Sequence, residues 1–468
     1  MAVATLRRRA RVRPAHVGVA LGVVGLNAVA AVAALHHPIE VIALALAIPA
    51  LVALLQRPQR GILMLVIGAP LSGLLVFVPH SGLVEGWKQF VVLLMLAGTF
   101  LGPPESPSLK ARPRPSWVIG LVPLLAMGAL SGIAVGPARA FFGLRQYFFY
   151  LLAAWAIWRR PPNGKERDHI VTALMVVGVL EGFYALFQQY IGPERLHQLG
   201  YAYNDTITFI GPRMRSFGTF QQPFGFAFFE MIVLLIAIPH VLAEPSRPRS
   251  RWFLLFAPIC LLGWAAAVIR GAILGLAVGI AYLGVGRYRV LLLTIPAALV
   301  VVLLLPSRLV APALSSSSSQ QRVSGWSENV RSLTLHPFGI GVGATGSAAV
   351  KVRAETEGAS TEATAGDSTY EPDNSWFKIL LELGVLALWF FVLVVTAICS
   401  STHQAAKKLD GVDAAFARGV TAMVLAAMAA AFVSSYFDIF PMDLFFWMFV
   451  AVVACMTEEE ATPIARAA

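Results

Sequence analysis

The sequence predicts an all-α, polytopic integral membrane bundle of about twelve to fourteen crossing helices with one large extracytoplasmic loop, because apolar runs of bilayer length recur along the chain. Three observations carry that expectation. Residues are 57% hydrophobic and only 13% charged, with a mean hydropathy of +0.72, a balance foreign to soluble domains. Runs near 15–35, 39–55, 61–78, 87–101, 117–135, 140–158, 169–190, 220–242, 252–268, 270–285, 288–305, 375–398, 412–434 and 439–456 each approach the length of a crossing. Alternate connections are basic: Gln56–Arg60, Lys110–Arg114, Arg159–Arg167, Arg247–Arg251, Arg287–Arg289 and Lys407–Lys408 fall on the side of the N-terminus, which the positive-inside rule makes cytoplasmic.

This divides the chain into an N-terminal bundle at 1–306 with an outer loop at 191–219, a large extracytoplasmic loop at 307–374, and C-terminal helices with a short cytoplasmic tail at 375–468. Arg7-Arg8-Arg9 before the run 15–35 resembles a signal-peptide start, but the run is too long for a cleaved segment and is expected to stay as a first helix. Ala344–Pro372 is small, polar and acidic, so it buries little apolar surface and is expected to be mobile. The +11 formal charge is dispersed among short connections, which excludes a nucleic-acid face. Cys260, Cys399 and Cys455 lie in or beside apolar runs without metal-ligand spacing, so no disulfide framework, metal or cofactor is expected.

The informative charges are cations on the outer side, because a buried cation in a membrane protein is costly and needs a partner. Arg145 lies one to two turns inside a run, Arg213 and Arg215 end the outer loop, Arg270 stands in the tight turn Val268-Ile269-Arg270-Gly271, and Arg322 and Arg331 sit in the large loop. Guanidinium binds phosphate bidentately, so a phosphate or diphosphate at the outer interface is the natural ligand. The plainer readings are snorkelling to lipid phosphates, which suits Arg139, Arg195 and Arg308, and pairing of Arg322 with the loop's own acids. Glu181 and Glu230 are intramembrane carboxylates, which in a transporter would carry protons, and Glu382 fits a structural hydrogen bond equally well. Asp438 and Asp443 bracket the last outer turn as helix caps. Tyr147, Tyr150, Trp155 and Trp158 fit an interfacial aromatic belt. Gly339, Gly341 and Gly343 lack the following helix and Lys of a P-loop.

Four segments together resemble the O-antigen ligase and polymerase family, polytopic enzymes that handle lipid-linked glycans at the outer face of the bacterial inner membrane. Arg215-Ser216-Phe217-Gly218-Thr219-Phe220-Gln221-Gln222-Pro223 resembles the family's Arg-x-x-Gly-Thr-Phe-x-x-Pro stretch. Val268-Ile269-Arg270-Gly271 resembles its Ser-Arg-Gly turn, with Ile269 in place of Ser. Arg322 to Trp326, followed by His336-Pro337, Gly339, Gly341 and Gly343, resembles its outer-loop helix and glycine-rich stretch. Asp373-Asn374 with Gly384 resembles the closing pattern, although Asp373 stands where the ligase branch has a catalytic histidine and Ala387 replaces a second glycine. These departures favour the polymerase branch.

The resemblance implies a glycosyltransferase acting on a polyprenyl-diphosphate-linked glycan donor and a glycan or lipid acceptor, with a chain-length regulator as a further partner. In chemical terms Arg145, Arg215, Arg270 and Arg322 would hold the departing diphosphate without a metal, since no DxD-type pair is present. Asp373 would take the acceptor's proton, unless it caps the helix starting at Ser375. His336 is the competing base, unless His-Pro only shapes a turn, and Trp326, Trp376 and Asn374 are candidate sugar contacts. No paired nucleophile and acid is evident, so a single inverting displacement is expected. Ligation of a finished glycan and transport of lipid-linked glycans are the alternatives.

Overall fold

The computed structural model describes residues 51–77, 86–101, 115–201, 205–294, 334–357 and 374–467. The expected run 15–35, most of 39–55 and 288–305, and most of the loop 307–374 lie outside the described residues.

The described chain is helical, apart from one two-residue antiparallel pairing of β1 (Phe209–Ile210) with β2 (Arg213–Met214). The helices in order are α1 (Arg60–Gly68), α2 (Trp87–Leu101), α3 (Trp117–Val135), α4 (Pro137–Phe148), α5 (Leu151–Arg159), α6 (Gly164–Gln198) and α7 (Asp205–Thr208). They continue with α8 (Pro223–Ala243), α9 (Pro248–Ala266), α10 (Arg270–Gly286), α11 (Gly346–Glu357), α12 (Ser375–Lys408), α13 (Gly411–Ala431) and α14 (Met442–Ala467).

Five helices, α3, α6, α8, α12 and α13, are long and apolar enough to cross a membrane, and the number rises to seven if two bent pairs each count as one span. The pairs are α1 with the 3-10 helix Pro70–Phe77, bent by 58°, and α4 with α5, bent by 48°. Three shorter apolar helices, α2, α10 and Met442–Met456, add to them. The protein is therefore a multi-pass membrane protein that is almost wholly helical among the described residues. Among the described residues, the independently sufficient spans are fewer than the runs in the sequence suggest. The reason is visible in α9, whose basic start Pro248-Arg249-Ser250-Arg251 dilutes its apolar length.

Burial orders the bundle. α8 is buried on all sides and packs against α6, α9, α10 and α13, as an apolar helix without a polar face must. α13 is nearly as buried and lies between α8, α10 and α12. At one end the basic connections are latched by ion pairs, Arg167 to Asp413 at 2.9 Å and both Arg247 and Arg249 to Asp168 at 2.6 Å. There Asn163 and Glu166 form a reciprocal capping box that starts α6. At the opposite end the turn 434–441 is the meeting point. Ser375 N donates to Ser434 O (3.3 Å), a Cβ on Gly271 would lie 3.4 Å from Ser434 Cβ, and one on Gly225 would lie 3.3 Å from Phe440 O. α8, α10, α12 and α14 thus all begin around this turn, and their N-terminal dipole ends converge on it.

Within Ala344–Pro372, Gly346–Glu357 is the helix α11, one of the short helices expected in the loop, and it packs on α4 with Ala348 3% exposed. Its small residues let it lie flat on a neighbouring helix, a form of burial that needs no large side chains.

Candidate functional site

The Arg215 segment is held by a polar stripe on α6. Positions 181, 185, 188 and 189 fall on one helical face, since seven residues make two turns. Gln188, fully buried, accepts at Oε1 from Phe217 N (3.1 Å) and Gly218 N (2.9 Å) and donates through Nε2 to Gly218 O (2.8 Å). Gln189 Nε2 donates to Met214 O and to Ser216 Oγ, both at 3.0 Å, and Ser216 Oγ donates to Ala185 O at 2.8 Å. Glu181 accepts from Thr219 N at 2.8 Å and from the Thr219 hydroxyl. Gly218 has φ +59, and a Cβ there would press on Phe226 and the Glu181 carboxylate, so only glycine fits. Most of the motif from Ser216 to Thr219 is therefore scaffolding that aims Arg215. Gln188→Leu removes the acceptor of two buried amides and the donor to a carbonyl. It is expected to destabilise the protein by on the order of 2–3 kcal/mol, read as a lower Tm in detergent.

Ser216 N donates to Ala266 O (3.2 Å), which brings Arg215 to the turn joining α9 to α10. In that turn Val268 has φ +52, a left-handed conformation that is strained for a β-branched residue. Arg270 follows at the start of α10. Arg215 and Arg270 are close enough that burial first, and then the like charge of Arg270, lowers the proton affinity of Arg215 below the ordinary guanidinium value. Arg215 Nη1 donates to Ile207 O at 3.1 Å, whereas its buried Nε has no hydrogen-bond partner among the described residues. Ser434 Oγ, near Gly271, and Tyr436 Oη, on a ring 4.9 Å from Phe228, are likewise buried without hydrogen-bond partners among the described residues. Val268→Gly should leave Tm unchanged or higher, because relief of about 1–2 kcal/mol of left-handed strain outweighs glycine's entropic cost. A clear drop in Tm would refute strain at this turn.

The third element is the broken start of α12. Asn374 is 2% exposed and caps this helix, its Oδ1 accepting from Trp376 N (2.9 Å) and Phe377 N (3.1 Å). Lys378 Nζ donates to Asp438 Oδ2 at 2.5 Å, with side chains 2% and 7% exposed. Glu382 accepts from Gly343 N (3.1 Å), Thr345 N (2.8 Å) and Thr345 Oγ1 (2.6 Å). The helix breaks at Gly384 (φ +85), and the glycine-rich stretch runs alongside the break. Ile340 N donates to Leu381 O, Gly341 N to Glu382 O, and Val385 N to Pro337 O, at 2.7, 3.1 and 3.1 Å. Gly339 and Gly384 make the approach possible, since a Cβ on either would meet the other segment's backbone.

Of the residues expected to act, Arg215 and Arg270 come together, and Asn374 lies at the same end through Ser375 and Ser434. Arg145 lies elsewhere, in a cavity bounded by α3, α4, α5 and α14. His336 is exposed, and it is its carbonyl that is engaged, accepting from Gly339 N at 2.9 Å. Trp376 stacks on Phe432 at 5.1 Å, and its Nε1 donates to Met428 O, so its ring is packed between helices. Asp373, Arg322 and Trp326 lie outside the described residues. Asp438, expected as a cap, is instead the partner of Lys378, while Asp443 Oδ1 accepts from Leu444 N at 2.8 Å in the first turn of α14. Glu230 is fully buried, and neither carboxyl oxygen has a hydrogen-bond partner among the described residues. Sequence reasoning missed Gln188, Gln189, Ser434 and Tyr436. The two glutamines had a readable signal, since amides aligned with Glu181 on an otherwise apolar helix need buried partners.

Fold and site together define a multi-pass helical membrane protein with a polar centre at one end of its bundle. No protein-family model matches the sequence, and no curated protein matches it.

Proposed function

We propose that the protein is a glycosyltransferase of the polymerase type, joining glycan units from a polyprenyl-diphosphate donor at the outer face of a bacterial cytoplasmic membrane. The observation that carries this reading is the meeting of Arg215 and Arg270, delivered by separate segments, with Arg215 Nε buried and without a hydrogen-bond partner among the described residues. Two adjacent cations repel each other, and a dianionic ligand removes that cost. In the proposed reaction the acceptor hydroxyl oxygen attacks the anomeric carbon, and the bond from that carbon to the diphosphate oxygen breaks with inversion. The diphosphate leaves onto the two guanidinium groups, and the hydroxyl proton passes to a carboxylate. The carboxylate proposed for that role is Asp373, as the resemblance implies, since Asp438 and Glu382 are engaged by Lys378 and by residues 343–345.

The test is reconstitution of the purified protein in vesicles with a synthetic polyprenyl-diphosphate oligosaccharide and no ion gradient. Products longer than the substrate are expected. Movement of the substrate across the bilayer without elongation would replace this reading by the transporter. A single transfer to an added lipid acceptor, without elongation, would replace it by the ligase.

A further inference from the structure

We propose that Glu181 of α6 and Glu230 of α8 form, together with the Thr219 hydroxyl, a site that takes up one proton and, when occupied, fastens the Arg215 segment to α6. The site does not depend on the glycan reading, since its occupant is a proton whatever the substrate. The two carboxyls meet because of how the helices pack. Gln188 of α6 meets Gly218 before α8 begins, and Asp168 meets Arg247 after α8 ends, so the two helices are antiparallel. A Cβ on Gly178 would lie 2.6 Å from Val233. Three residues onward on α6 and three residues back on α8 then place Glu181 opposite Glu230. Consistently, Glu181 is the charge that acts on Glu230, and a Cβ on Gly218 would press on both Glu181 and Phe226, one turn before Glu230.

Counting donors against acceptors points to the occupant. Glu181 is 2% exposed and Glu230 is fully buried, and both oxygens of Glu230 are without a hydrogen-bond partner among the described residues. The Thr219 hydroxyl owns a single proton yet lies within hydrogen-bond distance of two acceptors, Glu181 Oε1 and Pro70 O, the latter at 2.9 Å. The cluster thus has more acceptors than protons, in a surround where an ionised carboxylate without donors is costly. One added proton answers both deficits. It turns one carboxylate into a hydroxyl that donates to the other or to Thr219, and Thr219 is then free to donate to Pro70 O. The titratable groups facing the pair are Cys260 on α9 and Tyr201 in the outer loop. Charges on α1, α10, α13 and α14, such as Arg270, Arg418 and Asp443 near helix ends, are not among those acting on either carboxyl. Among the described residues no group of three carboxylate, histidine or cysteine side chains gathers, so the donor set fits a proton and not a divalent metal. Loss of the proton leaves two facing carboxylates that repel each other, which loosens Thr219 and with it the segment that aims Arg215.

The experiment takes the full chain in nanodiscs through infrared spectroscopy and amide hydrogen exchange from about pH 6 to about pH 10. At the acid end a protonated-carboxyl band that shifts in D2O is expected, and it should vanish as the pH is raised. Over the same interval exchange at residues 216–219, corrected for the intrinsic rate, should rise about tenfold, the loss of roughly one hydrogen bond's worth of protection. Glu230→Gln offers Glu181 an amide N–H in place of the proton, so this variant should lack the band and keep its protection at every pH. Glu230→Met serves as a second variant should Glu230→Gln not fold, and it should remove or shift the band. Absence of the band at the acid end, its persistence to the alkaline end, or a band changed in neither variant would each overturn the proposal. So would exchange in Glu230→Gln that follows pH as the parent's does. A band bleached when Na+ replaces choline at constant pH would also overturn it, by making the occupant sodium.

Discussion

Arg270→Ala and Arg215→Ala are each expected to lower the rate of glycan elongation by about 10²–10³-fold while the protein stays folded, because each removes fixed positive charge from the place where the leaving diphosphate develops its own. The loss should fall mainly on kcat, since the guanidinium matters most when the anomeric bond is breaking. The double variant should be little worse than either single one, because two groups that share one ligand act as a unit. Arg270→Lys keeps the charge but not the planar fork, so partial recovery is expected. Initial rates in the vesicle assay, with Tm measured in parallel, decide the matter. Elongation at the unsubstituted rate in both single variants would dismiss the diphosphate assignment, however well the two arginines lie together.

The largest expected effect on stability is at Lys378. Its ion pair with Asp438 is almost wholly buried, so Lys378→Met strands a carboxylate in an apolar surround, at a cost of about 3–5 kcal/mol. Most of that loss is the penalty of the orphaned charge rather than the worth of the bond. Lys378→Met/Asp438→Leu should therefore recover much of the stability, because an apolar pair of similar bulk is often neutral in place of a buried ion pair. Unfolding in detergent followed for both single variants and the double variant gives the coupling energy. A Lys378→Met protein as stable as the parent would mean that water reaches Asp438.

Much of the helical architecture was legible because apolar length and basic connections are local properties. The runs beginning at 117 and 412 became α3 and α13 with boundaries close to those expected, and the run at 375–398 became α12, which continues ten residues further to Lys408. The pairing of Arg215 with Arg270 was legible only as a shared side, since which of several outer arginines meet depends on packing between distant segments. Arg145 illustrates the limit. It lines the cavity bounded by α3, α4, α5 and α14, beside a bend at Phe149-Tyr150 that no proline or glycine announces. The role of Glu382 was ambiguous from its position alone and was decided by backbone amides almost forty residues earlier in the chain.

The break at Gly384 bears on how the chain is made. Residues 385–408 can cross a hydrocarbon core of about 30 Å unaided, so the piece from Ser375 to Leu383 is surplus to insertion. It owes its place to residues 337–345, which leave the ribosome earlier but can dock only once Glu382 has emerged. Biogenesis should thus have two stages, threading of the distal piece and then later closure of the proximal one. As a hypothesis, a cysteine at Ile379 should be alkylated in nascent chains and become protected only after release. Protection from the moment of insertion would argue for a single step.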